Sequence, residues 1–329
     1  MNALVTGGGG FLGGAVVRRL VARGNRVRSL ARGQYPELDA LGVEQIRGDV
    51  ADAGVTDAAV AGCDIVLHVA AQAGVWGPYV EYHRANVVGT QNVLSACRKH
   101  GVHRLVYTSS PSVVFDGRDL EGVDESVPYP KHYEAAYPKT KAEAERLVLA
   151  ANGLALTTVA LRPHLIWGPG DNHLIPRILE RGHAGRLRRI GKANKRIDST
   201  YIDNAADAHL LAAERLSPGS PIAGKAYFIS NGEPMLLWDL INQILAAGGV
   251  APVTRTIPMW LAHTAGWLLE TAYTVLRQRD EPPLTRFVVR ELTTAHWFDL
   301  TAARRDLEYV PRVSIEEGMQ RLAESLRRF

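Results

Sequence analysis

In Tyr137-Pro138-Lys139-Thr140-Lys141 a phenol and an ammonium stand four residues apart, a spacing that puts both on one face of a helix. Such a pair has a chemical use. A nearby ammonium favours the phenolate and draws a tyrosine pKa down from ~10, so that the hydroxyl can exchange a proton with a carbonyl or an alcohol. Lys139 has the wrong spacing for this. A Tyr with a Lys four positions on is also common on solvated helices, so the pair needs company to mean anything. Tyr107-Thr108-Ser109-Ser110-Pro111-Ser112-Val113 supplies it: the segment ends an expected strand, at the sheet edge where ligands of open α/β folds gather. There Ser110 can donate to a substrate oxygen and stabilise charge developing on it, with Ser109 and Ser112 left to cap the turn.

A third element stands at the start of the chain. Thr6-Gly7-Gly8-Gly9-Gly10-Phe11-Leu12-Gly13 follows an expected strand and opens an expected helix, the context that turns a glycine string into a dinucleotide fingerprint. Gly7 serves the tight turn, Gly10 lets backbone N–H groups approach a pyrophosphate at the helix N-terminus, and Gly13 allows close helix-to-strand packing. Sheets that bind NAD usually place an acid after the second strand to hold the ribose hydroxyls. Here Ala31 stands at that place, followed by Arg32, with Arg28 nearby. Guanidinium groups suit a 2′-phosphate, so NADP(H) is the expected cofactor. Asp49, just before Val50, reads equally as an adenine contact or a turn aspartate.

The elements that must position these residues alternate as βαβ units do. Strands are expected at 3–6, 26–30, 43–46, 64–70, 104–108 and 156–161, rich in the Val, Ile and Leu of central parallel strands. Helices are expected at 11–23, 82–99 and 133–151. Strands 199–202 and 226–229 follow a stretch broken by Pro163, Pro169, Gly170 and Pro176. The fold class is thus α/β, a doubly wound parallel sheet of Rossmann type with a smaller, mainly helical C-terminal substrate lobe. Residues 1–165 and 190–231 are assigned to the nucleotide domain, 166–189 and 232–329 to the lobe. Trp76, Tyr79 and His83, together with 167–173, fall where substrate walls should stand.

The chain has 329 residues, enough for one large core or two unequal ones. Its net charge of +4 is too small and dispersed to imply a nucleic-acid binder, but suits an anionic small molecule. Eight basic side chains between 177 and 196, opposed only by Glu180, form a solvated face or attract a carboxylate; no aromatic interleaving points to nucleic acid. Cys63 and Cys97 are the only cysteines, which rules out a disulfide scaffold and suggests a reducing, cytoplasmic setting. No signal peptide is expected from the opening residues. His164 and His173 are isolated and no HExxH pattern occurs, so no metal is expected; nor is there the GxSxG of a serine hydrolase. The apolar stretch 258–276, containing Trp260, Trp267, Leu268 and Leu269, is short for a membrane span. It reads as a core or lid helix, as a wall for long alkyl chains, as a docking face, or as a peripheral membrane contact.

In this order the motifs resemble the extended short-chain dehydrogenase/reductase superfamily over nearly the whole chain. Besides the glycine loop, Ser110, Tyr137 and Lys141, the matching segments are His68-Val69-Ala70-Ala71 and Asn86-Val87-Val88-Gly89-Thr90. Leu161-Arg162-Pro163-His164-Leu165-Ile166-Trp167-Gly168-Pro169-Gly170-Asp171 and Tyr201-Ile202-Asp203-Asn204-Ala205-Ala206-Asp207-Ala208-His209 look like its 3β-hydroxysteroid dehydrogenase-like branch. More narrowly, Thr108 to Val113, Arg162 to His173, Asp198 to Asn204 and Phe228-Ile229-Ser230-Asn231-Gly232-Glu233-Pro234 resemble bacterial 2-alkyl-3-oxoalkanoate reductases of long-chain olefin biosynthesis.

The resemblance implies Tyr137 as the acid/base, Lys141 as the group that tunes Tyr137 and holds the nicotinamide ribose, and Ser110, where some members carry Thr, as the carbonyl orienter. It implies cofactor contacts from Gly7, Gly10, Phe11, Leu12, Gly13, Arg32, Asp49, Val50, Ala70, Ala71, Asn86, Tyr137, Lys141 and Pro163, with Asn86 equally able to serve as a helix-interior hydrogen-bonder. The implied reaction is NADPH-dependent reduction of the 3-keto group of a 2-alkyl-3-oxoalkanoate. Alternatives are a 3β-hydroxysteroid or sterol-type dehydrogenase, a nucleotide-sugar epimerase or dehydratase and, least, a non-catalytic NADP-binding sensor. Implied partners are a long-chain β-keto or β-hydroxy acid, other olefin-pathway enzymes and further copies of the chain.

Overall fold

The computed structural model describes residues 1–192 and 194–327. Seven parallel strands make its central sheet: β1 (Asn2–Thr6), β2 (Arg26–Ala31), β3 (Glu44–Arg47), β4 (Ile65–His68), β5 (Arg104–Thr108), β6 (Thr157–Pro163) and β7 (Ala226–Ile229). Their spatial order is β3-β2-β1-β4-β5-β6-β7, the doubly wound arrangement. The chain winds outward from β1 in one direction, returns, and winds outward from β4 in the other, so a crevice opens beyond the carboxyl ends of β1 and β4. All residues of β4 and β6 are buried, as central strands covered on both faces must be.

Two strand ends depart from expectation for reasons that matter to the crevice. β4 stops at His68 because the N–H groups of Val69 and Ala70 leave the ladder and donate to Thr6 Oγ1, each at 3.1 Å. β6 runs on to Pro163, which lies opposite Ile229 of β7 and is thereby carried to the crevice edge.

The helix expected at 82–99 is three segments: Tyr79–Tyr82, a π-helical His83–Val88, and Gly89–His100. Such wide turns often mark functional positions, and this one contains Asn86. Gly89 follows it, where an added Cβ would stand 2.7 Å from a Val50 methyl, so the helix can lie close against the loop after β3. The Tyr137 helix is Ala136–Ala150, starting later than expected. Tyr133 is instead drawn back by a 3.0 Å bond from its hydroxyl to the Val113 carbonyl.

The C-terminal part is helical, with Leu237–Ala247, Met259–Val275, Arg286–Glu291, Thr301–Asp306 and Ile315–Leu326. It also holds a small sheet that sequence reasoning did not foresee, in the order Met235–Leu236, Arg196–Ile197, His296–Phe298, Leu120–Val123. This sheet ties the segment after β5 to the far end of the chain. In the expected strand 199–202 only Thr200–Tyr201 is extended, and Ile202 begins a helix whose first turn carries Asp203, the charge a helix N-terminus favours.

Candidate active site

The glycine loop is a cradle closed by backbone. Gly7 has a φ of +72°, and a Cβ there would meet the Ala70 backbone at 3.0 Å; at Gly13 it would lie 2.0 Å from the Gly7 carbonyl oxygen. Gly10 caps the Phe11–Ala22 helix without any side-chain hydrogen bond, so the first-turn N–H groups remain available to an anion. Gly9 lies under Tyr35, whose ring a Cβ would overlap at 2.0 Å.

Behind the loop a buried chain of hydrogen bonds holds the register. Thr6 Oγ1 accepts from Val69 and Ala70 and therefore donates to His68 Nδ1 at 2.7 Å; His68 Nε2 in turn donates to Thr90 Oγ1 at 3.0 Å, and that hydroxyl donates to the Asn86 carbonyl at 2.6 Å. His68 is neutral in this chain. Burial, and then the Lys141 charge, push its pKa down to about 3.

A cavity of about 650 Å³ runs from this loop across the sheet edge. It is lined by Gly7, Gly10, Phe11, Leu12, Gly13, Ala31, Arg32, Asp49, Val50, Ala70 and Ala71 at one end and by Ser110, Tyr137, Lys141 and Pro163 further along. Asn86 does not line it. Its Oδ1 accepts from Gln72 N at 2.7 Å, and its Nδ2 donates to the Gln72 carbonyl at 3.1 Å and to Thr140 Oγ1 at 3.0 Å. It thus holds Gln72, which is itself part of the wall.

Arg28 is turned away. Its Nη1 donates to the carbonyls of Ala59 and Ala61, both at 2.8 Å, and its Nε pairs with Glu44 at 2.9 Å. Of the two arginines expected near a 2′-phosphate, only Arg32 faces the cavity. Asp49 also lines it, while its carboxylate caps the turn through Ala51 N at 2.9 Å and pairs with Arg84 at 2.9 Å.

The Ala136–Ala150 helix brings Tyr137 and Lys141 to the cavity one turn apart. Its roll is set one turn further on, where buried Glu145 takes both Nε (3.0 Å) and Nη2 (2.6 Å) of Arg162 from β6, and the Tyr129 hydroxyl at 2.5 Å. Lys141 is buried, donates to the Thr108 carbonyl at 2.5 Å and lies 4.2 Å from the centre of the Tyr107 ring. Burial pulls its pKa down to about 7, against the pull of Glu145. Ser110 Oγ accepts from Ser112 N at 3.2 Å and lies 2.9 Å from Ser112 Oγ.

The expected lowering of Tyr137 does not appear. Burial pushes the phenol up to about 12, opposed by Ser110 and assisted by Glu291. The Lys141 ammonium is directed at Thr108 and Tyr107 instead.

Tyr35, Gln72, Phe287 and Glu291 line the cavity without any local sequence signal; His164 of the 161–171 segment and Arg177 of the basic run line it as well. His296 Nε2 donates to the Glu291 backbone carbonyl at 2.9 Å, so its Nδ1 accepts, at 2.7 Å, from His164 Nε2. Burial keeps both imidazoles neutral, leaving His164 Nδ1 as an acceptor. The Glu291 carboxyl is raised to about 7 by burial.

Other expected walls lie elsewhere. Trp76 donates to the Gln278 carbonyl at 3.4 Å, Tyr79 binds Glu143, and Trp167 is buried against Ser199, whereas Asp171, Asn172 and His173 do line the cavity. The Met259–Val275 helix buries only Ala262 and Gly266. Trp260, Trp267 and Leu268 are exposed by 69%, 49% and 55%, and neither they nor Leu269 line the cavity. Gly266 lets this helix pack on the Thr285–Arg286 backbone, so its larger side chains turn outward. Among the described residues no helix is long and apolar enough to cross a membrane, and no group of three or more His, Cys, Asp or Glu is placed to hold a metal ion.

A doubly wound sheet, a glycine cradle at β1 and a Ser, Tyr and Lys grouped at the β5 edge define a nicotinamide-dependent oxidoreductase of the extended short-chain type. The chain belongs to the 3-beta hydroxysteroid dehydrogenase/isomerase family, whose model matches residues 4–259. It is 55% identical over 327 residues to the 2-alkyl-3-oxoalkanoate reductase of Stenotrophomonas maltophilia (strain K279a), covering 99% of both chains. It is 50% identical over 333 residues to the protein of the same name from Shewanella oneidensis, covering 99% of this chain and 86% of that one. Among solved structures it is similar to gox2253, with a TM-score of 0.79, 26% identity and coverage of 99% and 98%. It is also similar to MoeE5 in complex with UDP-glucose and NAD, with a TM-score of 0.77, 26% identity and coverage of 100% and 99%.

Proposed function

We propose that the protein reduces the 3-keto group of 2-alkyl-3-oxoalkanoates to 2-alkyl-3-hydroxyalkanoates with NADPH, as a step of long-chain olefin biosynthesis. The observation that carries this reading is the full-length identity to reductases of that name, together with a single cavity lined by Ser110, Tyr137 and Lys141. In this reading residues 1–165 and 190–231 bind the cofactor and 166–189 and 232–329 the substrate; residues 193, 328 and 329 of that division lie outside the described residues.

The glycine cradle fits a pyrophosphate, because the helix it opens has no side-chain cap on its first-turn N–H groups and its floor admits no Cβ. NADP(H) is favoured by Arg32 in the cavity wall and Ala31 in place of an acid. When bound, the nicotinamide supplies a hydride to the carbonyl carbon. Ser110 donates to the carbonyl oxygen and holds it beside Tyr137. As the C=O electron pair withdraws onto oxygen, the Tyr137 hydroxyl gives up its proton to it. A phenol raised to about 12 is protonated at neutral pH, the form that reduction requires. Lys141, held at the Thr108 carbonyl, would hold the nicotinamide ribose through its remaining donors.

The test is NADPH oxidation followed by absorbance with a long-chain 2-alkyl-3-oxoalkanoate, a steroid ketone and a nucleotide sugar. The highest kcat/KM is expected for the β-keto acid. A clear preference for the steroid ketone would transfer the protein to the hydroxysteroid branch of its family.

A further inference from the structure

The following inference rests on that reading and concerns how the substrate's carboxylate is recognised. A 2-alkyl-3-oxoalkanoate carries a negative charge close to the carbonyl to be reduced. A carboxylate that enters a partly closed cavity needs a cationic partner to offset its lost hydration.

Among the described residues three Lys or Arg side chains line the cavity: Arg32, Lys141 and Arg177. Arg32 follows β2, at the end of the cavity that holds the glycine loop. Lys141 is committed to Thr108. Arg177 remains, on the Leu174–His183 helix at the other end. It is also the one member of the basic run 177–196 that faces the cavity among the described residues.

Arg177 is held ready. Its Nη2 donates to Glu281, in the segment joining Met259–Val275 to Arg286–Glu291, and it makes no other side-chain hydrogen bond among the described residues. One contact out of five N–H donors fixes the guanidinium and leaves its fork free to grip a second carboxylate. Local charge agrees. Burial, and then the Arg177 charge, disfavour the charged form of Arg181, with Glu281 and Glu180 opposing, so Glu281 serves two neighbouring cations. Glu180, whose charge acts on Arg181, is exposed and does not line the cavity. Asp171 does not compete, because its carboxylate caps the helix through the N–H groups of His173, Leu174 and Ile175 at 2.8 to 3.2 Å.

We propose that Arg177 binds the substrate carboxylate in a charge-assisted pair, while Glu281 positions the guanidinium. The protein would then discriminate β-keto and β-hydroxy acids from their uncharged analogues through the Leu174–His183 helix, which supplies the cavity wall with Arg177.

The experiment uses the oxidation direction, with NADP⁺ and either a 2-alkyl-3-hydroxyalkanoate or its methyl ester, which keeps both arms and the hydroxyl but loses the charge. Arg177→Gln is expected to lower the acid-to-ester ratio of kcat/KM by about 10- to 100-fold, mainly through KM for the acid. Arg177→Met, which keeps the aliphatic stem, should show the same fall, and Arg177→Lys a smaller one. Fluorescence titration with NADPH, expected within about twofold of the unmodified protein, shows that the folded enzyme is being compared. An unchanged acid-to-ester ratio in both neutral variants would overturn the role of Arg177 and leave the reductase reading intact. Failure of the unmodified protein to oxidise either compound would overturn the reading itself, and this inference with it.

Discussion

The two ends of the cavity are built by different means. At the nucleotide end the backbone forms the surface: Gly7, Gly10 and Gly13 approach one another so closely that a methyl group at Gly13 would overlap the Gly7 carbonyl, and Thr6 ties the loop to Ala70. At the substrate end the wall consists of side chains far apart in sequence, among them Leu165, Leu174, Arg177, Phe287 and Glu291. A surface made of backbone admits few residue types and leaves a local glycine spacing. A surface made of side chains accepts any of suitable volume and leaves none. Selection for cofactor therefore concentrates in a short segment, whereas selection for substrate is dispersed.

Substitutions at the two ends should separate accordingly. The largest effect is expected at their junction: Tyr137→Phe should cost about 10²-fold or more in kcat while NADPH affinity is retained, and Lys141→Ala should damage both. Near-normal kcat in Tyr137→Phe would mean that the proton comes from another group.

Next comes Glu291, whose carboxyl is raised from 4.5 to about 7 by burial. The folded protein holds this proton more tightly than the unfolded chain does. The resulting stability is complete below pH 4.5 and is lost as pH rises through about 7. Glu291→Gln cannot ionise, so urea unfolding at pH 5 and pH 8 should show the variant gaining about 2–3 kcal/mol on the unmodified protein between the two. Parallel pH profiles would show that Glu291 is solvated.

At the nucleotide end, Arg32→Ala should reduce the preference for NADPH over NADH by about tenfold, the lower range for a charge-assisted contact because Arg32 is exposed. Equal affinity of the unmodified protein for the two cofactors, measured by fluorescence titration, would remove the basis for this. The smallest effect is expected where the sequence seemed to offer a wall. Replacing Trp260 and Trp267 by Ser should leave the chain-length dependence of kcat/KM unchanged, because both point outward. That dependence should amount to roughly 0.8 kcal/mol per buried CH₂ until the cavity ends, and Phe287→Ala should flatten it.

Some of the cavity lining was legible where chemistry and backbone geometry coincide. Gly7, Gly10, Gly13, Ser110, Tyr137 and Lys141 could be read from their types and spacing, because strand and helix periods place them without reference to distant segments. Glu291 and His164 both line the cavity, linked through His296, which bonds the Glu291 backbone carbonyl and the His164 ring, contacts that no local pattern encodes. Sequence reasoning set Arg28 beside Arg32, but position 28 points to the Ala59–Ala61 backbone, where its guanidinium finds two carbonyls and Glu44. Among the readings open for the apolar stretch 258–276, the alkyl-chain wall is not met, because Gly266 and Ala262 are the side that packs. Hydrophobic composition identified that helix without identifying its buried face.

The central claim, that this chain transfers a hydride to C3 of a 2-alkyl-3-oxoalkanoate and a proton from Tyr137 to the oxygen, is tested most directly by isotope transfer. NADPH deuterated at the transferable C4 position is incubated with the β-keto acid and the product is analysed by mass spectrometry and NMR. A single deuterium at C3 of the 2-alkyl-3-hydroxyalkanoate is expected with the unmodified protein, at a rate reduced by about 10²-fold or more in Tyr137→Phe. An unlabelled or unconsumed β-keto acid, in a preparation that transfers deuterium readily to a steroid ketone, would contradict the account.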